Sequence, residues 1–373
     1  MGKNGYKVMD SDLHVLEPPD LYTTYMDPKW GDRVPRGTRS HPYQSAQYTT
    51  AQGERIRRTQ ATNTPDLDSR VADRFTVGSD KGFDSASQLQ AMEMEGIDIA
   101  VMFRTLPLHT DDAHEPEYAN DLNKAWNDWI TDFCNEDPAR MKAAGLITLH
   151  DATLAAQEMR RIAKDLGHVA SCLTPEPVLG RQLPEPYFDP IWEEAQDLGL
   201  PVTFHPSFSP NQVHWSNRFV NLDSLTWLVE TFDQPMEDML ATIYMTAGGI
   251  LDRFPKMTVA ILEGNCSWLP WLLYRLDERY ELYEGLEGVI NLSAKPSELF
   301  TRQCFISVDV DEYLVNDVIK HFGDDHLVFT TDYPHADCKF PHAIDTFLEM
   351  EGISHESRKK ILWDNCARLY NLN

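Results

Sequence analysis

Strand-like and helix-like stretches alternate through most of this chain, and the alternation restricts the folds open to it. Short apolar or β-branched runs are typical of strands buried on both faces. Eight are predicted: Tyr6–Asp12, Ile97–Phe103, Met141–Leu149, His168–Thr174, Pro201–His205, Met257–Glu263, Gln303–Asp309 and His326–Thr331. Helical patterns separate or follow them: Ser87–Glu95, Tyr118–Asn135, Ala152–Leu166, Asp189–Leu198, Leu222–Ala247, Ser267–Tyr283, Glu312–Phe322, His342–Glu351 and His355–Leu372.

Eight strands that each lead into a helix predict an α/β fold, a parallel (β/α)8 TIM barrel. A doubly wound open sheet is the alternative, but it calls for a glycine-rich phosphate-binding turn after the first strand. No such turn follows Tyr6–Asp12. We therefore expect residues 1–373 to form a single barrel domain.

One long stretch after the first strand, residues 27–83, interrupts the alternation. It is rich in Arg, Thr, Gln, Pro and Asp and poor in aliphatic residues. So long a stretch without periodicity inside a domain is usually a lid, an oligomer contact or partly disordered. Because it follows a strand, it is expected at the C-terminal face of the barrel, where such enzymes build their sites.

The overall charge argues against two classes of partner. The chain has 59 acidic and 33 basic residues, a formal net charge of −26. Such a surface repels nucleic-acid phosphates and anionic lipid, so we expect neither nucleic-acid nor membrane partners. No apolar run approaches the roughly 20 residues that span a bilayer, and the N-terminal residues lack a signal-peptide core. Six widely spaced cysteines without a CxxC pair suggest reduced thiols in a cytoplasmic protein.

Polar residues able to bind a metal occur where the predicted strands end. Asp10, Asp12 and His14 close the first strand, His205 the fifth and Glu263 the sixth, while Asp332 and His335 follow the eighth. The carboxyl ends of barrel strands converge on one mouth. Residues two apart on a strand share a face, so the first three side chains can point at one centre. Imidazole plus carboxylate is a ligand set for Zn, Mn or Fe(II).

Five local sequences carry a family resemblance, in the same order as in the family. They are MDSDLHVLEPPDLY (Met9–Tyr22), TFHPS (Thr203–Ser207), ILEGNCSWLPWLLYRLDERY (Ile261–Tyr280), TTDYPH (Thr330–His335) and DNCARLY (Asp364–Tyr370). Together they resemble the amidohydrolase-related metalloenzymes, which include the carboxymuconate-semialdehyde and resorcylate-type decarboxylases. They span nearly the whole chain and support the family rather than one reaction.

The resemblance implies a metal shell. Asp12 and His14 stand where the family has its strand-one pair, His205 at the strand-five histidine and Asp332 at the strand-eight aspartate. These four residues are the expected ligands of a divalent Zn, Mn or Fe ion. One ion is expected and two are possible, with Asp10, Glu263 and His335 as candidates for the second.

Two departures from the family pattern affect the chemistry. Asp12 replaces a histidine common in hydrolytic members, which makes the centre harder and richer in carboxylate. Glu263 stands where the decarboxylases usually present a histidine that handles the proton, and it could act as general base or as a ligand. The candidate catalytic residues are Glu263, Asp332 and His335. Arg104 and His109, after the second strand, are candidates for binding a substrate carboxylate.

Three functions remain open. The first is a metal-dependent hydrolase or carboxy-lyase acting on a small carboxylated compound, aromatic or cyclic. The second is a dinuclear non-haem iron or mixed-metal monooxygenase, suggested by more ligands than one tetrahedral ion needs. The third is a non-catalytic partner subunit of such an enzyme. A homodimer is the expected assembly, with a related barrel subunit as an alternative partner.

Overall fold

The strands form one large parallel sheet and one small hairpin. The computed structural model describes residues 2–39, 47–54, 72–105, 112–206 and 226–372, with only the backbone for 72–73 and 226–230. The strands are β1 (Met9–Val15), β2 (Arg36–Thr38), β3 (Gln47–Thr49), β4 (Ile99–Arg104), β5 (Met141–Leu146), β6 (Ala170–Leu173), β7 (Val202–Phe204), β8 (Val259–Ile261), β9 (Cys304–Val308) and β10 (Leu327–Phe329). The large sheet runs β1-β4-β5-β6-β7-β8-β9-β10 and every neighbouring pair is parallel.

The first and last strands of this sheet meet and nearly close it. The His14 amide donates to the carbonyl of Tyr333, just past β10, at 2.8 Å. The Thr330 hydroxyl donates to the Asp12 carbonyl, also at 2.8 Å. Sequential strand order together with this contact defines a (β/α)8 barrel, which confirms the predicted fold and excludes the open doubly wound sheet.

Helices cover the outside of the sheet. They are α1 (Leu21–Tyr25), α2 (Thr76–Ser79), α3 (Ser85–Glu95), α4 (Pro116–Cys134), α5 (Ala152–Lys164), α6 (Asp189–Leu198), α7 (Thr226–Met245), α8 (Ile250–Arg253), α9 (Leu269–Tyr283), α10 (Pro296–Gln303), α11 (Val315–Phe322), α12 (Ala343–Glu349), α13 (His355–Lys359) and α14 (Asn365–Leu369). A π-helical turn, Lys360–Asp364, joins the last two, and 3₁₀ turns occupy Pro28–Arg33, Ala72–Phe75 and Pro186–Phe188. The sequence pattern missed four short helices, α1, α2, α8 and α10. The last of them lies directly against the start of β9.

Local signals explain where several helices start and stop. The Asp151 carboxylate caps α5 by accepting from the amides of Thr153 and Leu154. Gly199, at a φ of 61°, ends α6 in the left-handed conformation that glycine adopts without strain. The apolar faces of these helices pack on strands whose residues are buried on both sides, as a barrel wall requires.

Strand β1 departs from the apolar pattern of the other strands. All seven of its residues are buried, although Asp10, Ser11, Asp12 and His14 are polar. Its pairing with β4 shifts register between Asp10 and Leu13. The sequence pattern ends the predicted strand at Asp12, because Asp has low strand propensity. The observed strand continues to Val15, so His14 as well as Asp12 lies inside the barrel wall.

The described parts of the insertion pack against the barrel. Strands β2 and β3 form an antiparallel pair, and the Arg39 guanidinium donates to the backbone carbonyls of Leu16 and Glu17. The Trp30 indole donates to Asp121 on α4 at 3.0 Å. Its role as a lid and the single-domain assignment stay predictions.

Two further features bear on the sequence expectations. All six cysteines are buried and free, as expected for reduced thiols. Within the described ranges, no helix combines the length and the apolar character needed to cross a bilayer.

Candidate metal centre

Six of the predicted site residues converge at the C-terminal mouth of the barrel. Asp12 and His14 project from β1, His205 directly follows β7, and Glu263 comes two residues after β8. Asp332 and His335 follow β10. Within this set, two overlapping groups have ligand atoms that all lie within 4.8 Å of one another: Asp12, His14, His205 and Glu263, and His14, Glu263, Asp332 and His335.

The first group centres on two imidazole rings and a buried carboxylate pair. The Nε2 atoms of His14 and His205 are 3.2 Å apart. Glu263 Oε2 lies 3.1 Å from His205 Nε2 and 3.4 Å from His14 Nε2. Asp12 Oδ1 lies 3.5 Å from His14 Nε2. Four donor atoms therefore surround one point in the barrel mouth.

The second group shares His14 and Glu263 with the first. Asp332 Oδ1 lies 3.2 Å from His14 Nε2 and 2.7 Å from His335 Nδ1. The rings of His14 and His335 are close to stacked, with centroids 3.9 Å apart and a tilt of 32°. Since His14 Nε2 has one lone pair, it can serve an ion in one group or the other, but not both.

Backbone carbonyls fix which nitrogen of each central histidine faces inward. His14 Nδ1–H donates to the Arg104 carbonyl at 2.6 Å, and His205 Nδ1–H donates to the Pro206 carbonyl at 3.1 Å. A neutral imidazole carries one N–H, so both Nε2 atoms present lone pairs to the centre. Burial, and then the nearby His335 ring, lower the pKa of His14 to about 3, which keeps it neutral.

The carboxylates need a cation to stay ionised together. Asp12 is 1% exposed, and neither of its oxygens has a hydrogen-bond donor among the described residues. Burial, reinforced by the charges of Glu263 and Asp10, raises the pKa of Asp12 well above its usual range. Burial and Glu263 likewise raise the pKa of Asp332, although a quarter of its side chain faces the cavity. Buried acceptors without donors beside two lone-pair nitrogens fit a divalent cation.

Glu263 responds differently from the two aspartates. Burial raises the pKa of Glu263, whereas positive charge at the positions of His205 and His14 lowers it well below its usual value. Because both rings present lone pairs to the centre, a bound cation would supply that charge. Its φ of 80° and the φ of 58° at Asp332 are left-handed conformations that non-glycine residues seldom adopt. Such strain concentrates at functional sites, where it aims a side chain that a regular strand would direct elsewhere.

The remaining predicted residues lie outside both groups. Asp10 accepts from the Thr331 hydroxyl at 2.5 Å and from the Asp12 amide at 3.1 Å, and burial raises the pKa of Asp10 to about 7. The buried Arg104 directs its guanidinium to the backbone carbonyls of His205 and Pro206, at 3.0 and 3.3 Å. His109 lies outside the described residues.

A cavity of about 430 Å³ opens beside Glu263 and Asp332. Asn265, Asp309 and Lys339 are among its lining residues. Asp309 is not among the predicted site residues, although it ends the predicted strand Gln303–Asp309 and the carboxyl ends of barrel strands converge on one mouth. The cavity gives the cluster access to a small molecule.

A nearly closed (β/α)8 barrel with a His/Asp/Glu cluster able to hold a divalent metal at its mouth defines a class of metal-dependent barrel enzymes. Residues 10–372 match the profile of the Amidohydrolase family, and the chain belongs to that family. The match covers nearly the full length and confirms the resemblance drawn from the five sequence landmarks.

Several relatives with known names are decarboxylases. Gamma-resorcylate decarboxylase from Polaromonas sp. is 26% identical, over 77% of this chain and 87% of the relative. 2-Amino-3-carboxymuconate-6-semialdehyde decarboxylase from Dictyostelium discoideum is 27% identical, over 68% of this chain and 67% of the relative. 5-Carboxyvanillate decarboxylase from Novosphingobium aromaticivorans, solved with bound manganese, superposes with a TM-score of 0.72 at 19% identity, over 100% of this chain and 99% of that one.

These findings agree with the leading sequence-based prediction, a metal-dependent amidohydrolase-type enzyme whose relatives include carboxy-lyases. They give the monooxygenase hypothesis no support. The structural likeness, at 19% identity, supports the fold alone.

Proposed function

We propose that the protein is a metal-dependent carboxy-lyase that removes CO₂ from a small aromatic or cyclic acid. The observation that carries the proposal is the group Asp12, His14, His205 and Glu263, whose ligand atoms lie within 4.8 Å of one another beside an open cavity. The decarboxylase relatives favour the lyase over the hydrolase reaction.

Asp12, His14, His205 and Asp332 are the proposed metal ligands, with Glu263 as a further ligand. Three carboxylates and two imidazoles make a harder set than structural zinc sites have, which favours Mn²⁺ or Fe²⁺ over Zn²⁺. When bound, the ion would polarise the substrate's carboxylate and a neighbouring hydroxyl as a Lewis acid.

Asp332 and His335 are the proposed proton-handling pair. Asp332 lines the cavity, and its Oδ1 lies 2.7 Å from His335 Nδ1. At this distance a proton would pass between the two side chains when the ring N–H points at the carboxylate. The ring carbon that bears the carboxylate accepts a proton from Asp332. The bond from this carbon to the carboxylate then breaks, its electron pair restores the ring, and CO₂ leaves. Glu263, whose Oε2 lies beside the Nε2 atoms of His14 and His205, would stay ionised as a ligand of the bound ion.

The decisive experiment measures CO₂ release by metal-free protein reloaded with Mn²⁺, Zn²⁺ or, anaerobically, Fe²⁺. The probes are 5-carboxyvanillate and 2,6-dihydroxybenzoate, acids after which two solved decarboxylases of this fold are named. Asp332→Asn is expected to lower kcat at least about 100-fold, the range of a lost proton donor. The control is Asp325→Asn, an exposed aspartate paired with Lys360.

Three other outcomes would contradict part of this proposal. Hydrolysis of a methyl ester of the same acids without CO₂ release contradicts the lyase proposal in favour of a hydrolase. Oxygen uptake that requires two iron ions per chain contradicts it in favour of a monooxygenase. Full activity of Asp332→Asn removes Asp332 from the proton transfer.

We also propose a homodimer in the cytoplasm, with a small-molecule substrate and neither nucleic-acid nor membrane partners. Trp271, Tyr274 and Leu282 are 59–62% exposed along α9, and Leu286 and Ile290 continue the apolar surface beyond it. Sedimentation of Trp271→Glu and Met94→Glu tests the assembly: the first should be monomeric and the second, on α3, dimeric. A monomeric wild type, or a complex with a related barrel subunit alone, contradicts it.

A further inference from the structure

The Nε2 atom of His335 contacts Thr105, a residue that belongs to neither group of candidate metal ligands. Thr105 directly follows β4, and its hydroxyl lies 3.2 Å from His335 Nε2. On the opposite side, His335 Nδ1 lies 2.7 Å from Asp332 Oδ1 and 3.9 Å from Glu263 Oε1. The two nitrogens of one ring therefore face different partners, and only Nδ1 faces the cluster.

The backbone of Thr105 is hydrogen-bonded to the buried carboxylate of Glu17. Its amide donates to Glu17 Oε1 at 3.1 Å, and the same oxygen accepts from the Trp126 indole N–H at 3.1 Å. Glu17 is fully buried and lies in the segment after β1, while Trp126 belongs to α4. One carboxylate thus joins the exit of β1, the end of β4 and a covering helix, and it fixes where the Thr105 hydroxyl is presented.

We propose that Thr105 is a positioning residue that orients His335 so that Nδ1 faces the metal cluster and the substrate cavity. The His335 side chain is 23% exposed. A ring with this much freedom can turn by 180° about its bond to Cβ unless a hydrogen bond fixes one of its nitrogens. A hydroxyl suits this task because it donates to a bare Nε2 and accepts from an Nε2–H. The contact therefore survives whether Nδ1 carries a proton or offers its lone pair.

The proposal has a sharp chemical consequence: His335 acts through Nδ1. It rests on the proposed function for its effect on kcat, but not for the orientation of the ring. If Thr105 did no more than end β4, a side chain of similar shape without a hydroxyl would replace it without effect. Comparing Thr105→Val, which keeps the shape and lacks the hydroxyl, with Thr105→Ser, which keeps the hydroxyl, separates these roles.

The first measurement is made on metal-free protein and needs no activity. Two-bond ¹H–¹⁵N correlations of the histidine rings are recorded at pH 8, with His335 assigned by its loss in His335→Gln. Wild type and Thr105→Ser should show one set of His335 ring correlations, and Thr105→Val two sets or broadened ones, because the ring then adopts two orientations. A single, unchanged set of His335 correlations in Thr105→Val overturns the proposal. If Thr105→Val fails to fold, Thr105→Ala is judged by the same criterion.

The second measurement is kinetic and uses the manganese-loaded enzyme. Thr105→Val should lower kcat about 10- to 100-fold, the usual effect of losing a contact that orients a site residue. KM should change less than about threefold, and Thr105→Ser should restore most of kcat. In a His335→Gln background, Thr105→Val should have no further effect, because the two act through one ring. An additive effect overturns the proposal, whereas a wild type without decarboxylase activity contradicts the proposed function and leaves the ring measurement to decide on Thr105.

Discussion

The Nε2 atoms of His14 and His205 face each other at 3.2 Å, and both present lone pairs. Each ring uses its Nδ1–H on a backbone carbonyl, that of Arg104 for His14 and that of Pro206 for His205. Neutral rings in this arrangement have no proton between them and repel each other weakly. A cation between the two nitrogens turns the repulsion into coordination, and this relationship underlies the predictions on metal binding.

His205→Ala should abolish metal retention while the fold survives. The substitution removes one of two imidazole ligands but leaves the three buried residues of β7 unchanged. We expect Mn²⁺ affinity to fall at least about 100-fold. Metal content after dialysis measures the loss, and circular dichroism checks the fold. The exposed His342→Ala is the matched control, and full metal occupancy in His205→Ala would contradict the proposed shell.

One ion per chain should bind tightly. The two candidate groups share His14, whose single Nε2 lone pair serves one ion. A second ion would have to share Glu263 and Asp332 with the first, and His335 would be its one nitrogen ligand. Titration of metal-free protein with Mn²⁺, followed by calorimetry and elemental analysis, should give one equivalent before any weaker phase. Two equivalents of equal affinity would indicate a carboxylate-bridged pair and would argue against this geometry.

Asp12→Asn should not destabilise the metal-free protein, although it should weaken metal binding. In the metal-free protein, Asp12 is a buried carboxylate without a hydrogen-bond donor among the described residues, close to Glu263 and Asp10. Removing that charge should leave metal-free Tm unchanged or higher, since an uncompensated buried charge is destabilising.

The same substitution should also abolish the stabilisation that metal gives. An ion at 100 times its Kd stabilises the native state by about 2.7 kcal/mol. Wild-type Tm should therefore rise on adding Mn²⁺, and Asp12→Asn should respond little. Asp345→Asn, on the surface beside Lys3, is the control. A metal-free Asp12→Asn protein that melts well below wild type would show that Asp12 stabilises the fold directly.

The barrel and most of the cluster were predictable from sequence because both follow from chain order. Buried parallel strands have a strong apolar signal, and the strand-end rule then brings Asp12, His14, His205, Glu263 and Asp332 to one mouth without any distance information. The C-terminal end of β1 was not predictable, because the polar site residues interrupt its apolar pattern.

The contacts that orient the site were beyond sequence reasoning. Arg104 was selected as a substrate clamp because guanidinium recognises carboxylate, whereas in the structure it donates to the carbonyls of His205 and Pro206. Thr105 gave no signal, since its contact with His335 joins residues 230 positions apart. Hydrogen bonds between strand ends depend on loop conformations, such as the left-handed φ of Asp332, that no periodicity encodes.

Far from the metal centre, His168 should control part of the acid stability of the fold. It precedes β6 and is 5% exposed. The Thr131 hydroxyl donates to the Asn127 carbonyl at 2.7 Å, so its oxygen accepts from His168 Nε2–H at 2.8 Å. His168 Nδ1 is left without a hydrogen-bond partner among the described residues. A second proton would have to sit on this buried nitrogen, and burial lowers the pKa of His168 to about 3.

The sign of the effect follows from proton uptake on unfolding. Between pH 6.5 and 3 the unfolded chain binds a proton at His168 that the native state excludes, so stability falls as the pH falls through this window. At pH 4 the loss relative to pH 8 is about 3 kcal/mol from this one group. Urea unfolding of chelator-treated His168→Gln at both pH values should show a correspondingly smaller loss than wild type, with the exposed His342→Gln as control. Equal losses in His168→Gln and wild type would mean that His168 is already protonated in the native barrel.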